Sequence, residues 1–163
     1  MRTLLLASVL FAGLMFSSAV PLSLPIPYHA FCRVMWLFAV PCDEVSMKVA
    51  QQIQAFYPGY KLVSASAMII RANHTSLDGL QAENITFTFN PTVETGGCRA
   101  GGQSVSLGFT SLLDNGLNYC NLYNLLSVSG LTSSLGFMEI TNEWACLGYG
   151  QNTCKASPAL IFK

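Results

Sequence analysis

Apolar positions recur along this chain in changing rhythms, and each change marks a boundary between elements. From Asp43 onward, Val45, Val49, Ile53 and Phe56 return at intervals of four, four and three, while Lys48, Gln51, Gln52 and Gln54 lie off that stripe. The spacing predicts one amphipathic helix over 43–57. Pro41 precedes it, Asp43 and Glu44 suit its N-terminal dipole, and Pro58-Gly59 closes it. The period then drops to two. In 67–75, Met68 and Ile70 point one way and Arg71, Asn73 and Thr75 the other; in 83–90, Ile85, Phe87 and Phe89 alternate with Asn84, Thr86 and Thr88. In 103–110, Val105, Leu107 and Phe109 alternate with Ser104, Ser106 and Gly108. Three such segments predict an antiparallel sheet with one face in the core and one in water. Asn115-Gly116 marks a turn, after which Leu117, Cys120, Tyr123 and Leu126 return at helical spacing as far as Ser127. A Ser/Gly-rich linker over 127–136 follows, then a short alternating strand at 137–141 and a turn-rich tail from Cys146 to Cys154. Together these elements predict a single α+β domain, a twisted antiparallel sheet of roughly four to six strands with two helices packed on its apolar face.

The first nineteen residues follow a different logic. Arg2 supplies a positive start, Leu4 to Phe16 form an apolar run, and Ser17-Ser18-Ala19 offers the small residues that a signal peptidase reads. Residues 1–19 are therefore expected to be a secretory signal peptide, and the rest a secreted, extracellular protein. Residues 20–41 are apolar but interrupted by Arg33 and by Pro21, Pro25, Pro27 and Pro41. That falls short of the ~20 apolar residues a membrane span needs, so the segment is expected to be a Pro-rich arm packed on a domain of residues 42–163, with no membrane span.

Charge narrows the partners. Only 10% of residues are charged, and removal of Arg2 leaves seven basic against eight acidic residues. Arg33, Lys48, Lys61, Arg71, Arg99, Lys155 and Lys163 are scattered singly along the sequence. With no basic stripe, nucleic acid, heparin and anionic membranes are poor candidate partners.

Six cysteines, Cys32, Cys42, Cys98, Cys120, Cys146 and Cys154, lack C-x-x-C spacing, and a secreted chain is expected to pair them all as disulfides. The connectivity stays open, with a lean towards a Cys42 bridge that ties the first helix to the C-terminal half. Asn73-His74-Thr75 and Asn84-Ile85-Thr86 are acceptor sequences for N-glycans. Both asparagines fall on the polar side of their strands, where a glycan must lie.

Catalytic chemistry finds little to work with. The two histidines are His29, in the arm, and His74, inside a sequon; both read as surface or turn residues, and no G-x-S-x-G elbow is present. Asp43 and Glu44 read as helix-opening acids, Asp114 as a turn former, and Glu139 and Glu143 as solvated surface acids that could face one another. The Gly96-Gly97 and Gly101-Gly102 pairs lack the lysine and helix of a phosphate cradle. No catalytic residue, metal site or cofactor is expected.

Residues 60–126 carry an ordered set of features: Ile70-Arg71-Ala72 with Thr75-Ser76, the strand Glu83-Asn84-Ile85-Thr86-Phe87, Ser104-x-Ser106, and Gly116-Leu117-Asn118 opening a helix that ends in Leu125-Leu126. In these it resembles the widespread family known as the domain of unknown function number fourteen ninety-nine, as a secreted, disulfide-bearing relative. It departs from that pattern at Leu107, where members commonly carry arginine, and at Tyr119-Cys120-Asn121, where they carry basic residues. The resemblance implies a sheet-and-helix fold and no established activity. The functional expectation is a secreted glycoprotein, not an enzyme, that serves as a binding or extracellular-matrix component with a protein or matrix partner. The alternative is a carrier of a small hydrophobic ligand, which the 52% hydrophobic content would allow if the core left a pocket; a filled core is the favoured expectation.

Overall fold

The computed structural model describes residues 29–93, 96–108, 115–151 and 153–154. The proposed signal peptide, residues 20–28 of the arm, Phe109, Thr110 and Asp114 lie outside them. The described chain folds as β1 (Phe31–Phe38), α1 (Cys42–Ala55), β2 (Tyr60–Ala65), β3 (Ile69–Thr75), β4 (Ala82–Pro91), β5 (Cys98–Ser106), α2 (Leu117–Val128), a 3-10 turn (Leu131–Ser133) and β6 (Met138–Ile140). The strands make one antiparallel six-stranded sheet in the order β2-β3-β4-β5-β1-β6. Both helices pack on one face, α1 across β2 to β5 and α2 against β5 and β1. The α+β architecture is as the sequence predicts.

The helical stripe holds residue by residue: Val45, Val49, Ile53 and Phe56 are all buried. They meet Ile70, Ile85, Phe87 and Phe89 in the core. Each such side chain removed from water stabilises the fold by about 1.5–3 kcal/mol.

Three sequence expectations need correction. Residues 31–38 are not part of an arm; they form β1, paired along its length with β5 and over Met35–Leu37 with β6. Cys32, Val34, Trp36 and Phe38 face the core, but the intervening Phe31, Met35 and Leu37 are apolar too, so no alternation showed. Met68 is exposed because it precedes β3. In β5 the faces are inverted: Cys98, Ala100, Gly102 and Ser104 turn inward, Val105 is half-buried on the outer face, and Leu107 is exposed beyond the strand. The reason is Trp36. A Cβ on Gly102 would stand 2.5 and 2.7 Å from two atoms of the Trp36 ring, which stacks beside Phe87 at 6.2 Å. The inward face of β5 must be small where the indole crosses it, and small residues do not read as hydrophobic.

All six cysteines pair. Cys42–Cys98 ties the start of α1 to the start of β5, Cys32–Cys146 ties β1 to the segment after β6, and Cys120–Cys154 ties α2 to the tail. Cys32–Cys146 is flanked by backbone bonds from the Arg33 N–H to the Ala145 carbonyl and from the Leu147 N–H to the Phe31 carbonyl, so the tail continues the β6 side of the sheet. Three disulfides suit an oxidising, extracellular compartment. No helix among the described residues is long and apolar enough to cross a membrane.

Candidate functional site

Polar side chains gather in three places: one end of the core, the β6 edge, and the sheet face that no helix among the described residues covers. At the core end, register places four inward residues in a row across four strands, Tyr60 opposite His74, His74 opposite Glu83, and Glu83 opposite Ser106. His74 Nδ1 lies 2.7 Å from Glu83 Oε2, and Glu83 is buried. The Tyr60 ring packs 4.5 Å from the imidazole, and its hydroxyl donates to the Asn121 carbonyl at 3.0 Å. Burial, and after it the Glu83 charge, pushes the Tyr60 phenol far above its ordinary value, which keeps it a neutral donor. Beside this row the Ser104 hydroxyl donates to Asn118 Oδ1 at 2.5 Å, and Asn118 Nδ2 donates to Ser106 Oγ at 2.9 Å.

His74 is therefore not the surface or turn residue expected beside a glycan. Strand alternation turns it to the face opposite Asn73. An imidazole oriented by a carboxylate is half of a general-base arrangement. Among the described residues no hydroxyl hydrogen-bonds to its other nitrogen, and Ser104 and Ser106 are both engaged by Asn118. His29 is exposed at the first described position.

The second cluster surrounds Glu139. Trp36 Nε1 donates to Glu139 Oε2 at 2.8 Å, the Tyr119 hydroxyl lies 2.9 and 3.1 Å from its two oxygens, and the Tyr149 hydroxyl reaches Oε1 at 3.2 Å. Burial first, then the hydrogen bond to Glu139, raises the Tyr119 phenol; burial and the Glu139 charge raise Tyr149. This corrects the reading of Glu139 as a solvated surface acid, and the alternative in which it faces Glu143: Glu139 turns inward to its three donors, and Glu143 is exposed in the following loop. Trp36, Tyr119 and Tyr149 come from three distant segments, so no local pattern announced the cluster.

The third place is the open face of the sheet. Asn73 and Asn84 are both exposed and are direct cross-strand partners on β3 and β4, a pairing that sets Cβ atoms about 5 Å apart. Around them the outward positions collect Lys61 on β2, Arg71 on β3, Arg99 on β5 and Arg33 on β1, all exposed. The basic residues scattered along the sequence are thus gathered in space: four of the five described ones share this face, and the fifth, Lys48, pairs with Glu44 on α1 at 2.9 Å. At the β6 side the face turns apolar, with Met138 and Ile140 exposed. A shallow depression of about 610 Å³ lies at one end of the sheet, where β1 and β4 end and β5 begins, lined by Leu37, Phe38, Ala39, Thr92, Val93, Cys98 and Gly136.

No group of three or more metal-ligating side chains occurs among the described residues. No family model matches the chain, and no curated protein matches it. Among solved structures, Ara h 8.0201 aligns over 64% of this chain and 98% of its own, with 7% identity and a TM-score of 0.37. TTHA0849 from Thermus thermophilus aligns over 61% of this chain and 88% of its own, with 12% identity and a TM-score of 0.28.

Proposed function

We propose that this chain is a secreted glycoprotein that works by non-catalytic binding, as an extracellular interaction or matrix component, with N-glycans on Asn73 and Asn84. The observation that carries this reading is the open face. Both acceptor asparagines lie side by side in solvent, whereas no buried side-chain N or O atom among the described residues is left without a partner. Among the described residues, inner polar groups that are satisfied and a broad sheet face left open suit a protein that presents a surface. Three disulfides support the compartment. Expression in a eukaryotic secretory cell tests it: the protein is expected in the medium, in two glycan forms that collapse stepwise in Asn73→Gln and Asn84→Gln. Retention inside the cell, or a mobility unchanged by glycosidase, refutes the reading, and turnover of a small substrate by the purified protein that His74→Ala abolishes refutes its non-catalytic part.

A second reading, a carrier of a small hydrophobic ligand, is favoured by the apolar depression near Leu37, Phe38 and Val93, whose volume of about 610 Å³ is of ligand-pocket size. Native mass spectrometry of the secreted protein distinguishes the two: an adduct lost on organic extraction supports the carrier, and the bare polypeptide-plus-glycan mass excludes it.

A further inference from the structure

The chain is near neutral overall, yet its open sheet face is not. Arg71, Thr86, Gln103 and Arg33 are successive register partners across β3, β4, β5 and β1, so two guanidinium-bearing positions end a row about 14 Å long. Arg99 stands four residues along β5 from Gln103, about 13 Å away, and Lys61 lies opposite Asn73. No outward strand position described on this face is acidic. Asp43 and Glu44 sit on α1, Asp78 and Glu143 in loops, and Glu83 and Glu139 turn inward. Among the described residues none of the four cations is in an ion pair. Arg33 rests 5.7 Å from the Phe31 ring, a contact that steadies a guanidinium without neutralising it.

We propose that this face is a binding surface for an anionic extracellular polysaccharide, a proposal that rests on the secreted reading above and names the partner class. Three observations choose a polysaccharide over other polyanions. The floor between the cations, Thr86, Thr88, Gln103 and Gly101, is small and polar, and suits sugar hydroxyls and sulfates or carboxylates. The cations are spaced widely, whereas a nucleic-acid surface concentrates them along the phosphate backbone. Among the described residues, Phe31 is the only aromatic side chain at an outward strand position, and Arg33 already lies over it, so no stacking platform for bases exists there. The asparagine pair occupies the row next to Arg71 and Thr86, so N-glycans border the surface on one side and leave the Arg33 and Arg99 side open.

Surface-immobilised heparin tests this with the intact secreted protein at about 0.15 M salt, where long-range charge effects are largely screened. Saturable binding is expected, weakening as salt rises. It should fall about tenfold or more in R33Q/R71Q/R99Q, by the summed loss of three exposed ion pairs, and stay unchanged in K48Q. Glycosidase-treated protein should bind as well or better. An unaltered near-UV circular dichroism spectrum shows that the triple variant is folded; if it is not, the single variants R33Q and R99Q, each expected to bind severalfold more weakly, carry the test. No binding, or variants equal to the parent, overturns the proposal. So does equal affinity for a mixed-sequence DNA duplex or for phosphatidylserine vesicles, which would give the face to a different partner. A secreted, glycosylated protein that ignores heparin overturns this proposal and leaves the earlier one standing; a heparin-binding protein that never acquires glycans does the reverse.

Discussion

Glu139 is the residue whose loss has the most clearly defined cost in this structure. Replacing it with alanine removes the acceptor for Trp36, Tyr119 and Tyr149 at 2.8 to 3.2 Å. Hydrogen bonds to a charged group contribute about 1.5–3 kcal/mol each, but the three donors differ in what replaces the carboxylate. Trp36 is fully buried, so its N–H is left without a partner at about 1–3 kcal/mol. Tyr119 and Tyr149 are half-buried and can turn to water, which limits their loss to about 0.5–1 kcal/mol each. Glu139→Ala is therefore expected to destabilise by about 2–5 kcal/mol, a large share of the roughly 5–15 kcal/mol of a typical domain. Glu139→Gln behaves differently. Its amide oxygen can take the indole N–H, and its NH2 can donate to phenol oxygens that reverse their role, so a loss of about 1 kcal/mol is expected. Urea unfolding in a Trp144→Phe background provides the assay. Trp144 is 90% exposed and the chain has two tryptophans, so emission then reports Trp36 alone. A Glu139→Ala loss under about 1 kcal/mol, or equal losses in the two variants, refutes the reasoning.

Gly102→Ala places a methyl group inside the Trp36 ring contact and is expected to cost about 1–3 kcal/mol by thermal melting, whereas Gly101→Ala meets only the Thr88 hydroxyl, which can rotate, and is expected to cost less. Cys42→Ser/Cys98→Ser opens a loop of 56 residues and is expected to lose about 4 kcal/mol in chemical denaturation on the loop-entropy estimate. Tyr60 titrates far higher folded than unfolded, raised first by burial and then by Glu83; its contribution is fully present below pH ~10 and is lost above it at about 1.4 kcal/mol per pH unit. Tyr60→Phe should lessen that alkaline decline in urea midpoints measured from about pH 9 to 11.5, leaving the part due to the raised Tyr119 and Tyr149 phenols, and an unchanged slope counts against the assignment.

What the sequence disclosed follows from where alternation was clean. β4 has phenylalanines facing threonines, so its faces were legible, and with them the solvent positions of Asn73 and Asn84. β1 is apolar on both sides and β5 is small on its inner side, so burial there depends on the fit of Trp36 against Gly102 between strands distant in the chain. The His74–Glu83 pair and the gathering of Arg33, Arg71 and Arg99 depend on register, which no single segment encodes. Cations that stand singly along the chain come to one face for that reason, although none is directly opposite another across the sheet.

The position of β1 has a consequence for how the protein is made. Its strand partners lie at 98–105 and 138–140, and Cys32 waits for Cys146, 114 residues later. As the chain emerges N-terminus first, the β2-β3-β4-β5 meander can close from neighbours, while the Phe-Cys-Arg-Val-Met-Trp-Leu-Phe segment stays unpaired until β5 has appeared and is bordered on its other side only after β6 has followed. Such late, non-local pairing is slow and leaves an adhesive segment exposed. The glycans proposed above for Asn73 and Asn84, if added to the β3-β4 hairpin during that interval, would hold the half-made chain in solution until its first strand finds its place.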